Sequence, residues 1–221
     1  MTNSLVKKIA IILTGMPGSG KGTYAPIIAQ DLRCHILSVG NVLRRLAKTQ
    51  ENGEVAQLMN SGTLLPDAVV NRVVADELND DKYLPCCVID GYPRSLIQAQ
   101  FLSTLYSDSL YCIHFDILPQ TAIQRVLGRF SCADCDAVYN KFSNPPVNNV
   151  CACSSSRWVY RSDDTQETME NRIKQYHQST EPILELYRHS ERFYIVDSNK
   201  QAQLAALEVH DVVKKITTSI N

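Results

Sequence analysis

Residues Gly15-Met16-Pro17-Gly18-Ser19-Gly20-Lys21-Gly22-Thr23 form a glycine-rich loop ending in lysine. It lies between the apolar run Ile9 to Leu13 and a helical stripe of Tyr24, Ile27, Ile28 and Leu32. The spacing G-x-x-x-x-G-K between a strand and a helix marks a phosphate-wrapping loop. Glycines let successive backbone N–H groups converge on one anion, the following helix aims its positive end at the same point, and the lysine adds a full charge. The general form of such a loop carries Ser or Thr after the lysine, whose hydroxyl ligates magnesium. Here Gly22 stands in that place and Thr23 follows, so magnesium must be positioned by another group. A water-mediated arrangement is expected of a cation that dehydrates reluctantly.

The 221 residues, 44% of them hydrophobic, suffice for one large domain or one domain with an insertion. Basic and acidic side chains nearly cancel, 22 against 23, which gives no electrostatic case for nonspecific nucleic-acid or membrane binding. Any anion site is therefore local. Met1 to Lys8 lack a secretion-signal pattern and no stretch approaches the roughly twenty apolar residues of a membrane span, so a cytosolic location is expected. Among eight cysteines, Cys34, Cys86, Cys87 and Cys112 fall in or beside strand-like runs and read as small buried hydrophobes. His35, His114, His177, His189 and His210 show no spacing that demands catalysis.

Short β-branched runs alternate with helical patterns, the signature of strand–helix–strand units and a parallel sheet. Strands are expected at Ile9 to Leu13, His35 to Ser38, Cys87 to Asp90, Tyr111 to Asp116 and Phe193 to Asp197. Helices are expected near 21–32, 41–48, 52–60, 67–79, 95–105, 119–128, 165–187 and 201–218. The fold class is α/β, a doubly wound sheet of five parallel strands flanked by helices. In such sheets ligands gather outside the carboxyl ends of strands. Residues 130–163 break the rhythm with paired cysteines, Asn144-Pro145-Pro146 and a run of serines, and read as an inserted unit.

Within that insert Cys132-Ala133-Asp134-Cys135 has the spacing of a metal knuckle, and Cys151-Ala152-Cys153 returns after 15 intervening residues. The interval suits the two halves of a tetrahedral structural zinc site, which would lend folding energy to a small flap. The second half is C-x-C where C-x-x-C is usual; regular spacing would put the fourth ligand at Ser154, so a Ser154-assisted site, a lost site or a redox pair remain open. Four thiolates would close the coordination shell, which argues against a catalytic zinc.

Asp90-Gly91-Tyr92-Pro93-Arg94 follows the third strand. Asp90 suits the organisation of magnesium and its waters, and Arg94 offers a planar fork for phosphate oxygens. Further arginines are Arg44, Arg125, Arg129, Arg161 and Arg172, with Arg161 leading into Asp163-Asp164. With these residues in place, the sequence resembles the adenylate kinases of the long form, whose lid is a zinc-bearing insert, over essentially its whole length. The likeness rests on Gly15 to Thr23, Leu37 to Arg44, Gly62 to Asp67, Asp90 to Arg94 with Gln98, Gly128-Arg129, Tyr139, Asn144 to Pro146, and Arg161 to Asp164 followed by Arg172.

The resemblance implies a P-loop NTPase-type fold, with a core of 1–129 and 164–221 that includes an acceptor region at 38–67, and a lid at 130–163. It implies reversible phosphoryl transfer from magnesium-bound ATP to AMP, giving two ADP, by a monomer with small-molecule nucleotides as its partners. By position, Gly15 to Thr23 would hold donor phosphates, with Lys21 tracking the transferring group and Arg125 and Tyr139 assisting. Val39, Arg44, Leu65, Gly91, Arg94 and Gln98 would bind AMP. Arg129 and Arg161 would close over the donor, Arg161 and Arg172 would also face AMP, and Arg172 would reach the group in flight. Cys132, Cys135, Cys151 and Cys153 would carry zinc.

This chain has Val39-Gly40-Asn41 where the family commonly has Thr-Gly-Asp, Thr63 where lysine is frequent, and Asp197-Ser198 for Asp-Gly. Valine cannot hydrogen-bond through its side chain, which weakens the case for strict AMP selectivity; Asn41 can cap a helix. A kinase of another monophosphate, or one using GTP, is the alternative within the fold. A nucleotide-sensing zinc module without turnover is the alternative outside catalysis, and it is opposed by the complete arginine set.

Overall fold

The computed structural model describes residues 8–49 and 65–220; the helix expected over 52–60 and the motif residues 62–64 lie outside the described residues. In chain order the strands are β1 (Ile9–Thr14), β2 (His35–Ser38), β3 (Cys86–Asp90), β4 (Leu110–Asp116), β5 (Arg129–Cys132), β6 (Val138–Asn140), β7 (Trp158–Val159) and β8 (Phe193–Asp197). The helices are α1 (Lys21–Leu32), α2 (Val39–Thr49), α3 (Asp67–Leu78), α4 (Leu96–Tyr106), α5 (Pro119–Leu127), α6 (Gln166–Gln175), α7 (Leu184–Tyr187) and α8 (Ala202–Ile220).

Five strands form one parallel sheet in the order β2-β3-β1-β4-β8. β1 is buried at every position, as a central strand covered on both faces must be, and it therefore reads as a continuous apolar run. Alternate residues serve opposite faces. Ala10 and Ile12 join Ile89, Leu102 and Val74 on the side of α3 and α4, whereas Ile11 and Leu13 join Ile28, Val209 and Ile216 on the side of α1 and α8. Cys87 and Cys112 are buried in this core and Cys34 and Cys86 pack against its margin. Among the described residues no helix is long and apolar enough to cross a membrane.

The helix expected over 165–187 is broken. α6 ends at Gln175, a π turn spans Tyr176–Thr180 with Glu181 N–H reaching the Tyr176 carbonyl, and a 3₁₀ turn over Glu181–Ile183 precedes α7. Pro182 lacks the N–H that a continuous ladder requires, and the wider turn absorbs the mismatch. The remaining strands, β6-β5-β7, make a separate antiparallel sheet within residues 129–159.

Two loop glycines are fixed by space as well as by backbone angle. Gly15 has φ +136°, and a Cβ there would meet the Phe115 carbonyl oxygen at 2.5 Å. Gly18 has φ +85°, and a Cβ there would meet the Ala122 carbonyl oxygen at the same distance. Both neighbours are backbone atoms and cannot rotate aside. Gly15→Ala is therefore expected to lower stability by about 2 kcal/mol or more, seen as a fall in Tm of roughly 4–8 °C in thermal denaturation of the unliganded protein; an unchanged Tm would contradict the close approach.

Candidate active site

Strand register assembles the site. Leu13 of β1 and Ser38 of β2 both lie opposite Asp90 of β3. The loop after β1, the start of α2 and the turn after β3 therefore open together at the carboxyl edge of the sheet. β1 leads through α1 to one side of the sheet and β3 leads through α4 to the other, and such a switch point leaves a crevice between adjacent strands.

The loop is held from within and from a distant part of the chain. Ser19 N–H donates to the Met16 carbonyl at 3.0 Å, and the Ser19 carbonyl accepts from the fully buried Ser198 hydroxyl at 2.8 Å. α1 then begins after Gly20, whose carbonyl accepts from the Thr23 and Tyr24 N–H groups at 2.9 and 3.0 Å. Lys21 Nζ folds over the loop, donating to the carbonyls of Gly15 at 2.7 Å and Met16 at 3.0 Å and to Ser19 Oγ at 3.2 Å. Burial pulls its pKa down to about 8; Asp90 opposes that fall, while Arg94 and Arg129 add to it. A Cβ on Gly22 would stand 3.7 Å from Asp90 Oδ2, so this carboxylate faces the first turn of α1.

Across the crevice, α2 begins at Val39 rather than near Asn41. Asn41 thus does not cap the helix as expected. It lies inside the first turn, where its Oδ1 accepts from Arg44 Nη2 at 2.6 Å. Val39 is 2% exposed and offers only methyl groups. Arg94 Nε donates to the Gly91 carbonyl at 2.9 Å, its backbone N–H donates to Gln98 Oε1 at 2.7 Å, and its carbonyl accepts from Thr180 Oγ1 at 3.0 Å. Leu65 is buried in the same core layer as Val39 and Val42.

The third group of cations comes from the inserted unit and α6. Arg129, at the start of β5, makes a two-pronged bond to Asp164 at 2.8 and 2.6 Å. Arg172 pairs with Asp163 and lies 3.8 Å from Asp164. Burial works against the Asp163 charge, but the Arg172 charge and hydrogen bond outweigh it and hold the carboxyl below the usual range. Half-buried Arg161 is drawn down to about 10, first by burial and then by Arg129 and Arg44. Arg129 and Arg172 likewise act on Arg44, and Arg172 and Arg44 act on Arg94. The structure thus brings Lys21, Asp90, Arg44, Arg94, Arg129, Arg161 and Arg172 into one electrostatic unit.

Arg125 and Tyr139 are placed differently. Arg125 Nη2 donates to the Ser198 carbonyl at 2.7 Å, beside the segment that follows β8. The Tyr139 hydroxyl donates to Cys151 Sγ at 3.4 Å and accepts from Ala152 N–H at 3.1 Å, while its ring packs against Phe130 and Trp158. It belongs to the knuckle in this conformation. His114 is buried beside Thr14 Oγ1 at 3.2 Å, and burial lowers its pKa to about 4.

The sulfur atoms of Cys132, Cys135, Cys151 and Cys153 all lie within 4.8 Å of one another, with 3.6 Å between Cys132 and Cys153 and 3.5 Å between Cys135 and Cys151. A tetrahedral zinc with 2.3 Å bonds needs sulfur separations of about 3.8 Å. The shortened second half of the motif therefore still delivers Cys153 to the cluster. Ser154 has φ +68° and donates its N–H to the Cys151 carbonyl at 2.8 Å, closing the turn.

Two contributions had no role assigned from the sequence. Asp163 and Asp164 serve as counter-ions to Arg172 and Arg129, which their position between Arg161 and Arg172 could have suggested. Ser198 reaches the loop across 179 residues, and nothing local in the sequence signals it.

A phosphate-wrapping loop at a sheet switch point, ringed by arginines, defines a P-loop phosphotransferase of nucleotides. A family model described as adenylate kinase matches residues 13–192. The chain is 36% identical over 210 residues to the adenylate kinase of Rickettsia rickettsii (strain Sheila Smith), covering 92% of this chain and 98% of that one. It is 37% identical over 211 residues to that of Rickettsia prowazekii (strain Madrid E), with the same two coverages. The figure is 32% over 212 residues for that of Rickettsia bellii (strain RML369-C), covering 93% of this chain and 97% of that one. The chain belongs to the adenylate kinase family.

The Lys21 geometry sets a pH dependence. Its pKa is depressed, so the ammonium is present below about 8 and is lost as pH rises through that value. For ATP, kcat/KM is expected to fall above pH 8, because that quantity follows ionisation of the free enzyme. A flat profile across the alkaline range would contradict it.

Proposed function

We propose that the protein catalyses reversible phosphoryl transfer from ATP to AMP, giving two ADP, with Lys21 on the donor side and Arg44 and Arg94 on the acceptor side of one crevice. The observation that carries this reading is the cluster of six cations, among the described residues, drawn from the loop, α2, the β3 turn, the insert and α6. One triphosphate would leave Arg44 and Arg94 without a substrate anion; two nucleotides meeting end to end engage both sides. Phosphoryl transfer needs little covalent help, so positioning and charge neutralisation supply the catalysis.

In this reading Lys21 leaves the loop carbonyls for the donor phosphates, and backbone N–H groups of the loop and α1 take the remaining oxygens. Arg94 and Arg44 grip the AMP phosphate, with Gln98 on the base and Leu65 and Gly91 lining its pocket. Arg129 and Arg172 exchange Asp164 and Asp163 for phosphate oxygens, and Arg161 joins them, as the unit 130–163 closes as a lid and excludes water. Lid gating of this kind is a general property of adenylate kinases as a class. Asp90, facing Gly22, is the residue that would organise magnesium through water, and the ion when bound supplies charge neutralisation of the donor phosphates. The four cysteines fit a structural zinc in number, sulfur spacing and closed donor set.

Three outcomes are expected. Turnover with a panel of monophosphates against ATP and GTP selects AMP and ATP; a different best pair would replace the assignment. Lys21→Met lowers kcat by about 10³-fold with the fold retained by circular dichroism, whereas Arg94→Ala raises KM for AMP about 10- to 100-fold while leaving KM for ATP within twofold. Protein purified without added metal carries about one zinc per chain by elemental analysis, and Cys132→Ser lowers Tm while preserving kcat in the cold; an unchanged Tm would remove the metal from the account.

A further inference from the structure

The buried Gln98 side chain, on which the acceptor pocket depends, is held from both ends. Its Oε1 accepts from Arg94 N–H at 2.7 Å, and its Nε2 donates to Asp67 Oδ1 at 2.8 Å. The two partners cannot be exchanged, because a backbone N–H only donates and a carboxylate only accepts. The amide therefore has one orientation. The same Asp67 oxygen accepts from Ser95 Oγ at 2.7 Å, and Ser95 in turn caps α4 by accepting from Gln98 N–H at 3.2 Å. Asp67 opens α3, in the first turn, where a carboxylate also suits the helix dipole.

We infer that Asp67 is a positioning residue for acceptor recognition, fixing which edge of the Gln98 amide donates and which accepts. The inference rests on the acceptor pocket proposed above. With one N–H committed to Asp67 and one oxygen lone pair to Arg94, the amide retains one donor and one acceptor in a set order. That order matches a purine whose ring nitrogen accepts and whose neighbouring exocyclic group donates, as in AMP. It opposes the inverted pattern of IMP, which has the same ring size. Loss of the carboxylate removes one of the two bonds that fix the amide, so its preference for one order, and with it for AMP over IMP, weakens. The same change loosens the Arg94 peptide unit, whose N–H is held by Gln98 and whose carbonyl is held by Thr180.

The test is the ratio of kcat/KM for AMP to that for IMP. Both substrates sample the same folded fraction, so a loss of stability does not move this ratio. Asp67→Ala is expected to lower the preference for AMP about tenfold or more and to raise KM for AMP, with KM for ATP within twofold. Asp67→Asn, which keeps an oxygen acceptor, should restore most of the preference. An unchanged ratio in Asp67→Ala, or an equal rise in KM for both nucleotides, would overturn the inference. Gln98→Ala separates it from the underlying reading: if that variant leaves KM for AMP unaltered, the acceptor pocket itself is misplaced, whereas an effect of Gln98→Ala without one of Asp67→Ala removes only the positioning role.

Discussion

Like charges repel, and this crevice holds six cations close enough to act on one another. Every other feature of the site answers that repulsion. Asp163 and Asp164 take Arg172 and Arg129, Asn41 takes Arg44, the Gly91 carbonyl takes Arg94, and the loop carbonyls take Lys21. The internal partners are weaker matches than phosphate, whose several oxygens accept charge-assisted bonds from many sides. In the function proposed above, binding would exchange these modest local partners for the phosphates of two nucleotides.

The sheet makes the cluster possible. Its central strand is buried throughout, so the order β2-β3-β1-β4-β8 is fixed by core packing on two faces. Parallel register then dictates that the loop after β1 and the turn after β3 share an edge. Arg129 and Arg161, by contrast, flank a small antiparallel sheet that stands outside this core. One set of cations is anchored in packing and the other on a separate element, a division that would suit the lid closure proposed above.

Much of this was legible in residue order. All five strands of the parallel sheet stand where alternation and β-branching put them, because buried parallel strands write themselves as apolar runs. The loop, the Asp90 turn and the cysteine spacing carry their chemistry in a few adjacent residues. Less legible were features set by distant partners. α2 starts at Val39 and its Asn41 is engaged by Arg44 instead of capping the helix, and the 165–187 helix widens ahead of Pro182, where Tyr176 and Ile183 are buried, a turn that propensity alone does not show. Asp67 and Thr180 gain their importance only once α3, α4 and the π turn are folded around Arg94.

The hydroxyl of Ser198 closes on a carbonyl of the loop at residue 19, so the shape of the loop is begun early in the polypeptide and completed 179 residues later. During synthesis a ribosome-bound chain that still lacks β8 has made the glycines and the lysine but not the strap that shapes them. The loop therefore has its full set of hydrogen bonds only after β8 and the residue that follows it have emerged.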